Sequence, residues 1–144
     1  MQTAGVTDAK PPFRFAAQTR VGFSDTDAQG IVYYGRYLPY FDLARVEYHR
    51  NLDLMRVDGF EFVMRAISTE YLAPARFDDL IEIYCRVARV GRTSATYEFA
   101  AHKVDGDLLM VTAEQTLVLV DLDQRRAQAI PDYWRERIEK FERG

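Results

Sequence analysis

The chain has a single cysteine, Cys85, among its 144 residues. No intrachain disulfide and no cysteine-based zinc cluster is therefore open to it. It has two histidines, His49 and His102. Both fall on polar faces of their expected elements, without an obvious serine or cysteine partner, which argues against a nucleophile–histidine triad. No run approaches the roughly 18 apolar residues of a membrane-spanning helix. Positive charge is not in excess: 19 Lys and Arg against 22 Asp and Glu leave a formal net charge of −3. That balance gives no global attraction to nucleic acid or to an anionic membrane, so an anionic ligand would need a local basic patch. Neither the phosphate-loop nor the dinucleotide glycine pattern occurs, and no nucleotide cofactor is indicated. The first twelve residues, MQTAGVTDAKPP, lack the apolar stretch of a signal peptide. They read as a flexible N-terminal arm (1–12), and the cytoplasm is the expected location. What remains, 13–144, suits one domain. Its aromatic content is high, with nine Tyr and nine Phe to fill an interior or an interface.

Phe13, Phe15, Ala17, Val21 and Phe23 share one parity, as in a half-buried strand. From Arg36 to about Asn51 the period changes. Tyr37, Tyr40, Phe41, Ala44 and Tyr48 follow helical spacing and form one apolar face. Leu38, Leu43 and Val46 widen it, which predicts a helix wrapped on more than one side. Pro39 is tolerated in the first turn, where its missing N–H has no intrahelical partner, so the helix should start near Tyr34 to Arg36. Strands are expected over 62–72, 80–90, about 95–101 and 108–120, with a hairpin at Asp105-Gly106. Pro131 should open a short terminal helix with Trp134, Ile138 and Phe141 along one stripe. The expected fold class is α+β: a largely antiparallel sheet curved around one long helix. Its uncovered edge and outer face suit a second subunit.

The stretch Ser24 to Tyr37, SDTDAQGIVYYGRY, joins the first strand to the helix. Asp25, Asp27 and Gln29 alternate like half of a calcium loop. A calcium loop counted from Asp25 needs a glutamate at its twelfth position, where this chain has Arg36, and no metal is expected. Short Asp residues before a helix also brace turns for backbone reasons alone. The chemical alternative joins three features. Asp27 is a carboxylate just before a helix. Gly30 permits an unusual φ at the bend. The helix start offers unpaired N–H groups at the positive end of a dipole. A carbonyl held on those N–H groups would be polarised, and Asp27 could attack its carbon or activate a water.

The pattern Asp25-x-Asp27-x-x-Gly30-Ile31-Val32-Tyr33-Tyr34-x-x-Tyr37 resembles the signature of the 4-hydroxybenzoyl-CoA thioesterase-like group of hotdog-fold acyl-CoA thioesterases. The likeness continues through FDLARVEYHRNL and STEYLAPARFDDLIEIYCRV, nearly the whole chain after the arm. It implies a five-stranded antiparallel sheet around a long helix, dimerised by sheet extension and often a homotetramer, with active sites at the subunit interface. By position it assigns Asp27 as nucleophile or general base, the Tyr34 N–H as donor to the thioester carbonyl, and Asp25 as support beside Gly30. Tyr34 stands where many members carry His, which tilts the expected acyl group toward an aromatic one. Coenzyme A enters as part of the substrate, not as a cofactor.

Other residues compete for roles. Glu47 matches in kind the helix glutamate of another thioesterase branch, but an ion pair with Arg50 or Arg36 explains it as well. Glu70 sits in an otherwise apolar strand. Arg89, Arg92, Thr93 and Ser94 flank the Gly91 turn and could meet coenzyme A phosphates, as a similar turn does in related thioesterases. Arg76 and the Arg125-Arg126 pair are weaker versions. Tyr37 and Tyr40 read as core. The main functional alternative is a non-catalytic, regulatory acyl-CoA-binding protein. A dehydratase would want a histidine near the carboxylate, and none occurs over 13–48.

Overall fold

The structure is a computed structural model and describes residues 3–144. Seven strands form one antiparallel sheet. They are β1 (Thr3–Val6), β2 (Phe15–Arg20), β3 (Glu61–Tyr71), β4 (Leu80–Val90), β5 (Ser94–Lys103), β6 (Leu108–Asp121) and β7 (Arg126–Ala127). Their order is β1-β2-β4-β5-β6-β3, with β7 paired to β6. Helix α1 (Tyr37–Asn51) packs across the sheet, and α2 (Asp132–Arg143) closes one end.

The helical stripe emerges as its spacing requires. Tyr37, Tyr40, Phe41, Ala44 and Tyr48 are the five buried residues of α1. They meet Phe15, Ile81, Ile83, Phe99 and Val111 from the sheet's concave face in one continuous core. Each large side chain so buried stabilises the fold by roughly 1.5–3 kcal/mol. A 3-10 turn, Tyr34–Arg36, leads directly into α1, at the predicted start. Pro39 occupies the third position of α1, where no intrahelical acceptor is lost. His49 and Arg50 end the helix, where cations favour the dipole.

Four expectations change. The five expected strands are β2 to β6, and β1 and β7 extend the sheet to seven. Thr3 to Val6, taken as part of a flexible arm, pair in register with Gln18 to Phe15, because β2 otherwise presents a free edge. The sheet covers only one side of α1. Leu38 and Val46 lie off the buried stripe and are exposed in the single chain. His49 leaves the polar face, as described below.

Strand β3 is the last strand beyond β6. Its other edge pairs with nothing among the described residues, and Val63, Met64 and Ile67 are exposed on it. Register fixes what lies at each end of the sheet. At one end stand Tyr71, Val111, Ala101 and Ile83. At the other stand Glu61, Val120, Ser94 and Val90. Along β3, ten strand steps separate Glu61 from Tyr71, roughly 30 Å.

Candidate active site

The segment between β2 and α1 is a tight loop built on two aspartates. Residues 26 and 32 form an isolated bridge, and Gly30 N–H donates to the Asp27 carbonyl at 3.0 Å. Gly30 takes φ +79°, and a Cβ there would meet nothing within 4 Å. Backbone conformation, not space, therefore selects glycine.

Asp25 is the brace. One carboxylate oxygen accepts from Gly22 N–H (2.9 Å) and Tyr40 Oη (2.6 Å). The other accepts from Arg36 Nη2 (3.0 Å) and Nε (3.2 Å). Burial opposes its ionisation, but the hydrogen bonds from Tyr40, Gly22 and Arg36 outweigh that and hold the pKa below the ordinary 3.8. Tyr40 is buried, and its pKa is raised by burial and then by this carboxylate. Arg36 thus serves a carboxylate where a calcium loop would need one. No three His, Cys, Asp or Glu side chains are grouped to hold a metal among the described residues.

Asp27 is placed differently. It is half-buried, and its Oδ1 accepts only from Gln29 N–H, at 2.8 Å. Oδ2 has no partner among the described residues. The carboxylate lines a cavity of about 590 Å³ with Ile31, Val32, Tyr34, Tyr37 and Tyr71. Nearby backbone donors are mostly taken: Tyr33 N–H by Asp25 O (2.9 Å), Arg36 N–H by Tyr33 O (2.8 Å) and Val32 N–H by Ala75 O (2.8 Å). Tyr34 N–H, first in the 3-10 turn, has no acceptor among the described residues. Tyr71 Oη donates to the Tyr34 carbonyl at 3.1 Å and steadies this corner. Tyr37 is core, as read, yet it also forms the cavity floor. Burial pushes its phenol up to about 12, so it stays a neutral donor. The arrangement has a carboxylate with a free oxygen, and a residue at the helix start with a free N–H, lining one aromatic-walled space.

The other candidates separate. Glu47 is paired with Arg50 at 3.0 Å. Glu70 is exposed on β3. Arg89 reaches Glu114 at 4.0 Å. Arg89, Arg92, Thr93 and Ser94 lie around the β4–β5 turn, at the Glu61 end of the sheet, whereas Asp27 lies at the Tyr71 end. One chain does not bring them together. Sequence reasoning also missed a second cavity, of about 730 Å³, at the Glu61 end. It is lined by His49 and Arg45 of α1, Phe60 and Phe62, and Tyr97 of β5. Its one legible signal was the histidine spaced one residue past the buried stripe. His49 turns inward because Tyr97 Oη offers it a partner at 2.5 Å and the Trp134 ring packs against it at a tilt.

A helix laid across a curved antiparallel sheet, with a cavity at the helix start, is the hotdog arrangement. The chain belongs to the Thioesterase-like superfamily, which matches residues 21–138. It is 33% identical over 122 residues to the acyl-CoA thioesterase YbgC of Haemophilus influenzae, covering 81% of this chain and 88% of that one. A solved Aquifex aeolicus protein described as hypothetical superposes with a TM-score of 0.78 at 30% identity, over 86% of this chain and 98% of its own. The 1,4-dihydroxy-2-naphthoyl-CoA thioesterase of Synechocystis shares the fold, with a TM-score of 0.77 at 19% identity, over 85% of this chain and 93% of its own. No helix among the described residues is long and apolar enough to cross a membrane.

Proposed function

We propose that the protein hydrolyses acyl-CoA thioesters, with Asp27 as the attacking carboxylate or the base that activates water. The observation that carries this is the unequal treatment of the two loop aspartates. Four hydrogen bonds tie down Asp25, while Asp27 keeps an unpartnered oxygen and lines one cavity with Tyr34, whose N–H is free. The thioester carbonyl oxygen accepts from that N–H, and the helix dipole stabilises the oxyanion that forms on attack. Collapse of the tetrahedral intermediate expels the coenzyme A thiolate. In the nucleophilic variant, water then cleaves the mixed anhydride on Asp27. The aromatic walls of Tyr34, Tyr37 and Tyr71 favour an aromatic acyl group over a short aliphatic one.

The working unit is a homodimer joined along β3. An antiparallel pair of identical edge strands has its two-fold axis perpendicular to the sheet. Both helices then lie on the same side, and the Tyr71 end of one chain meets the Glu61 end of the other. That places the partner's β4–β5 turn, with its Arg89, Arg92, Thr93 and Ser94, at the Asp27 end, where coenzyme A phosphates need cations. Exposed Val63, Met64 and Ile67 supply the apolar contact along the seam. A thiol-release assay over aromatic and aliphatic acyl-CoAs tests the activity. Release from an aromatic acyl-CoA is expected. Tight binding of acyl-CoA without release from any of them would instead identify a binding protein.

A further inference from the structure

Strand β3 carries its charges unpaired. Glu61, Arg65 and Glu70 are all exposed, and none of them is in an ion pair among the described residues. Charges on neighbouring strands find partners across the sheet, Arg86 with Glu98 and Arg89 with Glu114. The free edge of β3 also exposes Val63, Met64 and Ile67. Charges on an edge strand commonly guard it against pairing, and a guard works by repelling a copy of itself. Here the signs alternate along the strand, negative at 61, positive at 65 and negative at 70. An antiparallel copy reverses that order, so register decides whether the copy is repelled or attracted.

The faces of β3 limit the registers. Tyr71, Thr69 and Ile67 stand opposite Val111, Ala113 and Gln115 of β6, which are buried on the helix side. Glu70, Ser68 and Ala66 therefore face the outer side. Met64 and Phe62 stand opposite Leu117 and Leu119, again on the helix side. Between Met64 and Ala66 the register shifts, so Arg65 is an extra residue in a bulge. Directly opposed residues of an antiparallel pair share a face, and two identical strands pair about a two-fold axis. An axis at Ala66 sets Glu70 of each chain against Glu61 of the partner subunit, two like-charge contacts. An axis at Ile67 or Ser68 removes both. The partner's Glu70 then faces Val63 or Ala66, and Arg65 stands about one strand step away. An axis at Thr69 widens that gap to roughly 10 Å along the strand. With the axis at Ile67 or Ser68, Tyr71, a wall of the Asp27 cavity, faces the partner's Phe62 or the partner's Met64.

We infer that Arg65 of each chain pairs with Glu70 of the partner subunit, and that these two reciprocal ion pairs set the register of the β3 seam. This rests on the dimer of the thioesterase reading and names what aligns it. Register in turn decides which partner side chain closes the Asp27 cavity beside Tyr71. A slip to Ala66 opposes carboxylates in two places, so the same charges act against the wrong alignment as well as for the right one. The bulge suits Arg65 to this role, because it frees that residue from the alternation that fixes its neighbours.

Exchange of the two charges tests it. Arg65→Glu makes a chain negative at both positions, and Glu70→Arg makes a chain positive at both. Each variant alone should raise the dimer dissociation constant about tenfold or more in sedimentation, with thiol release falling in parallel on dilution. Mixed together, the two variants are complementary at both contacts. Native mass spectrometry of the exchanged mixture should then show heterodimer well above the statistical half, which also shows that both chains fold. The doubly changed chain, Arg65→Glu with Glu70→Arg, should dimerise within about threefold of wild type. Heterodimer at the statistical half, single variants as tight as wild type, or a doubly changed chain no tighter than the single variants would each overturn the inference. A wild-type protein that is monomeric at every concentration yet releases thiol overturns the seam and this inference and leaves the activity reading standing. A dimer whose variants sort by charge, but which releases no thiol from any acyl-CoA, defeats the activity reading and leaves the seam.

Discussion

The two ends of helix α1 are built on opposite terms. At its start, the Asp27 cavity offers one acceptor carboxylate and one free N–H between aromatic walls. At its end, the His49 cavity is walled by Phe60, Phe62 and Tyr97 behind an acidic rim of Asp58, Glu61, Asp121 and Asp123. Neither end is a complete thioesterase site. One has the proposed attacking group and no Lys or Arg in its lining. The other lies at the same end of the sheet as the basic turn and has no free carboxylate beside an open helix start. The contrast is what the proposed pairing would require, with the functional unit divided between two copies.

The largest effect should come from removing the proposed attacking group. Asp27→Asn is expected to lower kcat by several orders of magnitude, about 4–6 kcal/mol in barrier, with little change in melting temperature. Asp25→Asn should do the reverse in kind. It deprives Tyr40, Arg36 and Gly22 of a charged acceptor and should cost about 2–3 kcal/mol of stability in chemical denaturation. Because the folded-state pKa of Asp25 lies below its unfolded value of 3.8, its contribution is fully present above that pH. It is lost as pH falls through the folded pKa, and the Asn variant should show a shallower acid limb.

Breaking the pairing comes next in size. Ile67→Lys on the β3 edge places like charges along the seam. It should shift the mass seen by light scattering from dimer to monomer and abolish thiol release, while circular dichroism stays native. A smaller effect is expected at the basic turn. Arg92→Gln should raise KM for acyl-CoA about five- to tenfold with kcat little changed, and the difference should shrink at high salt. The smallest is a pH effect at the other cavity. His49 has a folded pKa depressed from 6.5 to about 4, so its neutral form favours the fold above pH 6.5. That contribution is lost as pH falls toward 4, and His49→Gln should flatten the stability profile over this window.

Most of the fold was legible because period and punctuation agreed. The helical stripe from Tyr37 to Tyr48 is the buried face of α1, residue for residue. Strand β4 has the expected bounds, 80–90, because its alternation ends at charged or glycine turns on both sides. The pairing of Thr3–Val6 was not legible, since four small residues carry no period and only the free edge of β2 recruits them. At the site, the Asp25, Asp27 and Gly30 spacing marked the loop, and the partner of Arg36, Asp25, became visible only in the structure. What sequence did not reveal was direction. Nothing in the spacing of Gly91 and Asp27 says that they lie at opposite ends of the sheet, because that depends on the non-local register of four strands. His49 was misplaced for a related reason. Its inward turn depends on Tyr97 and Trp134, 48 and 85 residues away in sequence.

The central claim is that Asp27, and not Asp25, performs the chemical step. Single-turnover thiol release from the best acyl-CoA substrate, compared between wild type and Asp27→Asn at saturating enzyme, addresses it most directly. The account predicts a rate at least a thousandfold lower in the variant, with substrate still bound. A variant that releases thiol at the wild-type rate would contradict it.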